Sequence, residues 1–159
     1  MHKFYSYKLW MVYSSFMVAI TLQIIPFSPQ IWWMQPSWIM ILLIHWITVL
    51  PNQVSIGTGF TLGLITDIVL GSTLGMHSLS LSILAYLATR NIYCFKYVSI
   101  WRQSFIVIFL SFINQSIIFL VKFLMIKVFI TTPEIFWNCL LDGGSWPFLI
   151  LLMRKIRRN

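Results

Sequence analysis

The sequence predicts an all-α, polytopic integral membrane protein: six transmembrane helices in a single domain over residues 1–159, with both termini in the cytoplasm. Three observations carry that expectation. Hydrophobic residues make up 59% of the chain and charged residues 9%, against the roughly 25% charged of soluble domains. Apolar runs near the ~18 residues that a membrane crossing needs recur from end to end. The cations, although they give a net charge of +8, sit at the ends of those runs. That is the positive-inside pattern of membrane topology, not the one-faced basic patch of a nucleic-acid partner.

The first span is expected over Leu9 to Pro26, preceded by Lys3 and Lys8 and followed by no small-x-small cleavage site, so it stays uncleaved. Phe27 to Pro36 reads as an uncharged outer loop, broken by prolines, with Trp32, Trp33 and Trp38 as an interfacial aromatic belt. The second span runs from Ser37 to Leu50, bracketed by Pro36 and Pro51, and Asn52, Gln53 and Ser55 form an inner turn. His45 in this span could shuttle protons; with no evident partner, a neutral, hydrogen-bonded imidazole is expected instead.

The third span holds the densest signal, with Gly59, Gly63, Asp67, Gly71 and Gly75 at every fourth position. Small residues at that spacing let two helix backbones approach closely. An acid among them should face protein rather than lipid, as a satisfied structural group or as a functional one. Residues 56–90 as one helix would reach ~50 Å, far beyond the ~30 Å hydrocarbon core, so an outer turn is expected at 71–75. The fourth span then covers Met76 to Arg90, with Ser78, Ser80, Ser82 and Thr89 on a polar side.

Arg90, Lys96 and Arg102 mark Asn91 to Trp101 as an inner loop. The fifth span covers Gln103 to Lys127, with Asn114 and Gln115 placed to bond a neighbouring helix. Thr131 to Glu134 is the last outer loop. The sixth span, Ile135 to Met153, is expected to be interrupted at Asp142-Gly143-Gly144 and Trp146-Pro147 before the basic end at Arg154 to Arg158. Six spans put nine of the eleven cations inside and only Lys122 and Lys127 outside. Counting across the final hairpin from a turn centred near Thr131 places Lys122 level with Asp142, which suggests a structural ion pair. The alternative has Lys122 snorkelling to the outer surface while Asp142 caps a break at Gly143-Gly144.

The chemistry of an enzyme is hard to assemble. The acids are Asp67, Glu134 and Asp142, and the histidines His2, His45 and His77. There is no HExxH, no Cys-x-x-Cys and no Walker loop, and Gly71-Ser72-Thr73-Leu74-Gly75 does not match a nucleophile elbow. No catalytic, cofactor or metal residue is assigned. Cys94 and Cys139 fall at opposite membrane surfaces, too far apart for a disulfide. A carrier lined by Asp67 and Asn114 and a scaffold holding partner helices are the competing classes.

The run Pro51-Asn-Gln-Val-Ser-Ile-Gly-Thr-Gly-Phe60, followed by Gly63-x-x-x-Asp67-x-x-x-Gly71-Ser-Thr-Leu-Gly75, resembles the MreD family of rod shape-determining membrane proteins. Gln35 to Trp38, Pro133-Glu134-x-Phe136-Trp137, Trp146-Pro147 and Leu152 to Lys155 extend the resemblance over nearly the whole chain. It implies a non-enzymatic, multi-pass protein of the bacterial inner membrane. Its implied partners are membrane lipid, an MreC-type single-span periplasmic protein, an MreB-type actin-like filament, and the glycosyltransferase and transpeptidase of lateral wall synthesis. It also implies distant kinship with the membrane subunits of vitamin transporters, which keeps a small transporter or substrate-binding subunit as the alternative.

Overall fold

A computed structural model describes residues 2–25, 36–126 and 134–158. They are helical: α1 (His2–Ile24), α2 (Trp38–Val49), α3 (Ile56–Leu70), α4 (Met76–Arg90), the five-residue α5 (Ile92–Lys96), α6 (Ile100–Ile126) and α7 (Glu134–Arg158). The six longer helices fall on the six predicted segments, and α5 occupies the predicted inner loop. The expected belt at Trp32 and Trp33 and the loop at 131–133 lie outside the described residues.

α2 is apolar on every face, and a helix of that kind belongs in the interior. Eight of its 12 residues, from Ile39 to Ile47, are buried. It packs on α1, α4, α5 and α7, and the core is built around it from Phe16, Ala19, Leu84, Ala88, Val107 and Trp146. The outside of the bundle is also apolar: Trp10, Phe105, Phe109, Leu124 and Leu151 are all more than half exposed. Ile100–Met125 of α6 is, among the described residues, the one stretch both long and apolar enough to cross a bilayer unaided. Only 22% of its most apolar window is buried, whereas the core helix of a soluble fold would be mostly covered. Hydrocarbon, not water, suits such a surface.

α3 and α4 form the closest crossing. A Cβ on Gly63 would lie 2.1 Å from Ser78 Cα, and one on Gly59 2.9 Å from the Leu81 carbonyl oxygen. These two glycines therefore serve the predicted close approach, and they serve it within the chain. Gly71 and Gly75 do not. α3 ends at Leu70, and the chain turns through Gly71 (φ 62°) and Gly75 (φ 102°), where an added Cβ would meet nothing within 4 Å. Their role is conformational, since both occupy the left-handed region that side chains disfavour. The Ser72 N–H bonds the Asp67 carbonyl at 3.0 Å and closes the helix end.

α7 also departs from expectation, running unbroken through Gly143, Gly144 and Pro147. A Cβ on Gly143 would fall 2.2 Å from Ile108 Cγ1, so this glycine admits α6 at close range rather than breaking the helix.

Substitution at the α3–α4 crossing should be position-specific. Gly63→Ala must force backbones apart and should cost about 1–3 kcal/mol, the usual range for overpacking. Gly57→Ala, where a Cβ meets nothing within 4 Å, should be neutral or mildly stabilising. Thermal unfolding of the two variants in the same detergent checks the contrast.

Candidate functional site

The α3–α4 hairpin brings Asp67, Ser72, Gly75 and His77 together at the end of the bundle where the chain turns. Asp67 is 1% exposed. Its Oδ1 accepts from the His77 backbone N–H at 3.0 Å and from Ser72 Oγ at 2.8 Å, and lies 2.7 Å from His77 Nδ1. Its Oδ2 accepts from the Gly75 N–H at 2.9 Å. Gly75 and His77 stand at the start of α4, so the carboxylate caps that helix from the end of α3. A helix start has unpaired N–H groups and partial positive charge, both of which an anion satisfies. The contact with His77 is the one acid–base pair at ion-pair distance among the described residues.

Ser, His and Asp side by side invite comparison with a nucleophilic triad, where imidazole bridges acid and hydroxyl through opposite nitrogens. Here Ser72 Oγ donates to Asp67 itself and lies 3.3 Å from the same His77 nitrogen that faces the acid. The hydroxyl is thus a partner of the carboxylate, on the wrong side of the ring for activation.

The second acid repeats the arrangement with other helices. Asp142, fully buried on α7, accepts from the Ser37 N–H at 2.7 Å through Oδ1 and from the Ser111 hydroxyl through Oδ2. Ser37 immediately precedes α2, so this carboxylate caps α2 as Asp67 caps α4. The expected Lys122–Asp142 pair is not formed: Lys122 is exposed, and Asp142 takes its bonds from Ser37 and Ser111. The contact of Gly143 with Ile108 sets the helix register and makes Asp142 level with Ser111, eleven residues or ~16 Å along α6 from Lys122.

At the opposite end a cavity of ≈ 230 Å³ opens among α1, α2, α5, α6 and α7. Gln103 organises it. Its Nε2 donates to the Phe95 and Val98 carbonyls at 2.6 and 3.1 Å, and its Oε1 accepts from Trp146 Nε1 at 3.3 Å. His45 stands edge-on to Trp146 with ring centroids 6.4 Å apart. Asn114, expected to bond a neighbouring helix, is buried, and its Oδ1 has no hydrogen-bond partner among the described residues. Those residues also contain no group of three or more His, Cys, Asp or Glu arranged to hold a metal.

Sequence reasoning missed Ser37, Ser72, His77 and Ser111 as partners of the two acids. Ser37, ahead of an apolar helix, stood in a capping position; that its N–H would find an acceptor 105 residues away had no local signal.

The profile of the family described as rod shape-determining protein MreD matches residues 5–156 of the chain. The rod shape-determining protein MreD of Haemophilus influenzae is 38% identical over 148 residues, covering 93% of this chain and 91% of its own length. No solved structure matches.

The two carboxylates should respond differently to amidation. Asp67 meets backbone N–H donors on both oxygens, so in Asp67→Asn one amide hydrogen must face an N–H that cannot reverse. Leaving a buried donor unmet costs roughly 1–3 kcal/mol. In Asp142→Asn the amide can keep the Ser37 bond and donate to the Ser111 hydroxyl, which can rotate to accept, so the loss should be under about 1 kcal/mol. Lys122→Ala, at an exposed side chain, should stay within ~0.5 kcal/mol. Denaturation in detergent ranks the three, and a Lys122→Ala effect as large as that of Asp67→Asn would restore the ion pair.

Proposed function

The chain belongs to the MreD family of rod shape-determining membrane proteins, and we propose that it acts as a non-enzymatic scaffold in the bacterial inner membrane. In this role it links a cytoplasmic MreB-type filament and an MreC-type single-span protein to the glycosyltransferase and transpeptidase that extend the lateral wall. Family membership carries the role in cell shape. The scaffold reading rests on one observation: both described acid side chains are spent inside the fold, on helix starts, while the surface offered to the membrane is apolar. A carrier needs ionisable groups along a path. Asp67, the acid that suggested one, has a fully buried side chain bonded entirely within its own hairpin.

The proposed topology has six spans, the 71–75 turn outside and both termini inside. Helix direction supports it, because α1, α3 and α6 run toward the turn end and α2, α4 and α7 run back. The positive-inside rule then puts the end holding Arg90, Arg102 and Lys155 in the cytoplasm. α2, α3 and α4, of 12, 15 and 15 residues, are short for a ~30 Å core. Sunken helix ends and local bilayer thinning accommodate such lengths.

Single cysteines in a Cys94→Ser, Cys139→Ala background test the topology. In intact cells an impermeant thiol reagent should label Thr73→Cys and spare Asn91→Cys, both exposed positions; the reverse pattern would overturn the arrangement. The role is tested by expressing the chain in cells depleted of their own MreD. Restored rods, with an MreC-type protein recovered alongside the chain from mild detergent, are the expected outcome. Recovery with an ATPase cassette instead would favour the transporter alternative.

A further inference from the structure

The cavity around Gln103 does not end at its own walls. A second, apolar groove of ≈ 260 Å³ runs between α1, α2 and α7, and Met11 and Met153 line both. Between them Trp46 Nε1 donates to Ser15 Oγ at 2.8 Å, tying a wall of the chamber to a wall of the groove. The two form one crevice, polar and aromatic at one end of the bundle and apolar along the rest. The serines in the groove do not change its character, since Ser14 and Ser15 hydroxyls bond the Met11 and Val12 carbonyls of their own helix.

Length and charge say what fits. The groove follows α1 from Met11 to Leu22, eleven residues or ~16 Å, close to the ~15 Å depth of one leaflet. Cations gather where it meets the chamber. Arg102 is exposed beside Gln103, and Lys155 is exposed two residues beyond Met153. Asp67 and Asp142 take their bonds inside the fold, from Gly75, His77, Ser37 and Ser111, and Glu134 stands at the far start of α7. Basic clusters at the cytoplasmic ends of transmembrane helices attract anionic headgroups. We propose that the crevice holds one anionic phospholipid of the inner leaflet, with an acyl chain in the groove and its headgroup at the basic mouth of the chamber. The orientation rests on the six-span topology; the site itself does not depend on the scaffold role.

Native mass spectrometry of the full chain, delipidated in mild detergent, tests this with phosphatidylglycerol and phosphatidylcholine of identical acyl chains. Phosphatidylglycerol should be retained several-fold more, and Arg102→Gln should lower that preference about fivefold. Val18→Trp and Leu152→Trp fill the groove from opposite walls at positions 56% and 48% exposed, so neither disturbs the core. Each should reduce retention of both lipids about tenfold. Equal retention of the two lipids, or undiminished binding by the tryptophan variants, would overturn the proposal. So would a Val18→Cys crosslink in native membranes that captures a protein helix in place of lipid. The measurement is made on purified protein, so its failure leaves the cysteine-labelling test of topology standing.

Discussion

Helix starts enclosed by the packed bundle impose the constraint on which this fold depends. The first four N–H groups of an α-helix have no partner inside it, and where water is absent each must find an acceptor. α2 and α4, about 18 and 22 Å long at 12 and 15 residues, cannot carry both ends to the surfaces of a ~30 Å core. At their starts the N–H groups of Ser37, Gly75 and His77 point into the bundle and need acceptors there. Asp142 and Asp67 answer that need, one from α7 and the other from α3. The need is mutual. A carboxylate in hydrocarbon is costly without donors, and a helix start offers N–H groups together with the positive end of a dipole. Acid and helix start each make the other tolerable, so neither requires a cation.

Reaching those helix starts takes close packing, and in both cases a glycine beside the acid provides it. Gly63 lies one turn before Asp67 and lets the α3 backbone meet α4 at Ser78, which brings the carboxylate within reach of Gly75 and His77. Gly143 follows Asp142 and meets Ile108, which sets the register that delivers Ser111 to the second carboxylate. Glycine and acid form one device: the first fixes the interhelical distance, and the second spans what remains. A side chain at Gly63 would disturb the crossing and the Asp67 cap together.

Much of this was legible in the sequence and some was not, for identifiable reasons. The helices follow from apolar run length, and the 71–75 turn from the impossibility of a ~50 Å span. The roles of Gly71 and Gly75 were not separable from those of Gly59 and Gly63, because the same four-residue spacing continues from helix into turn. Positive φ leaves no mark on spacing. The break expected in α7 came from the habits of Gly and Pro in water. In lipid an unfolded turn would strand its carbonyls and N–H groups, so the helix persists through Pro147. The Lys122–Asp142 pair failed because its register was counted from an assumed turn centre, whereas side-chain packing at Gly143 decides it. The serines that bond the two acids were visible only as generic polarity, since hydroxyl and acid come from different helices or across a turn.

The two ends of the bundle thereby differ in kind. Toward the turn end Asp67 and Asp142 are buried and hydrogen-bonded, and Lys122 is exposed. At the other end the cations have no acidic counterpart in the sequence, and a polar chamber opens beside them. Exposed charge selects partners through interactions that weaken with salt, while neutral apolar surface selects them through shape and contact area. On the six-span arrangement, association at the cytoplasmic face is therefore electrostatic and favours anionic surfaces. Association at the outer face, and along the lipid-facing helices, depends on complementary packing. Under the proposed scaffold role, this division lets a change in ionic conditions or lipid charge loosen one set of contacts without disturbing the other.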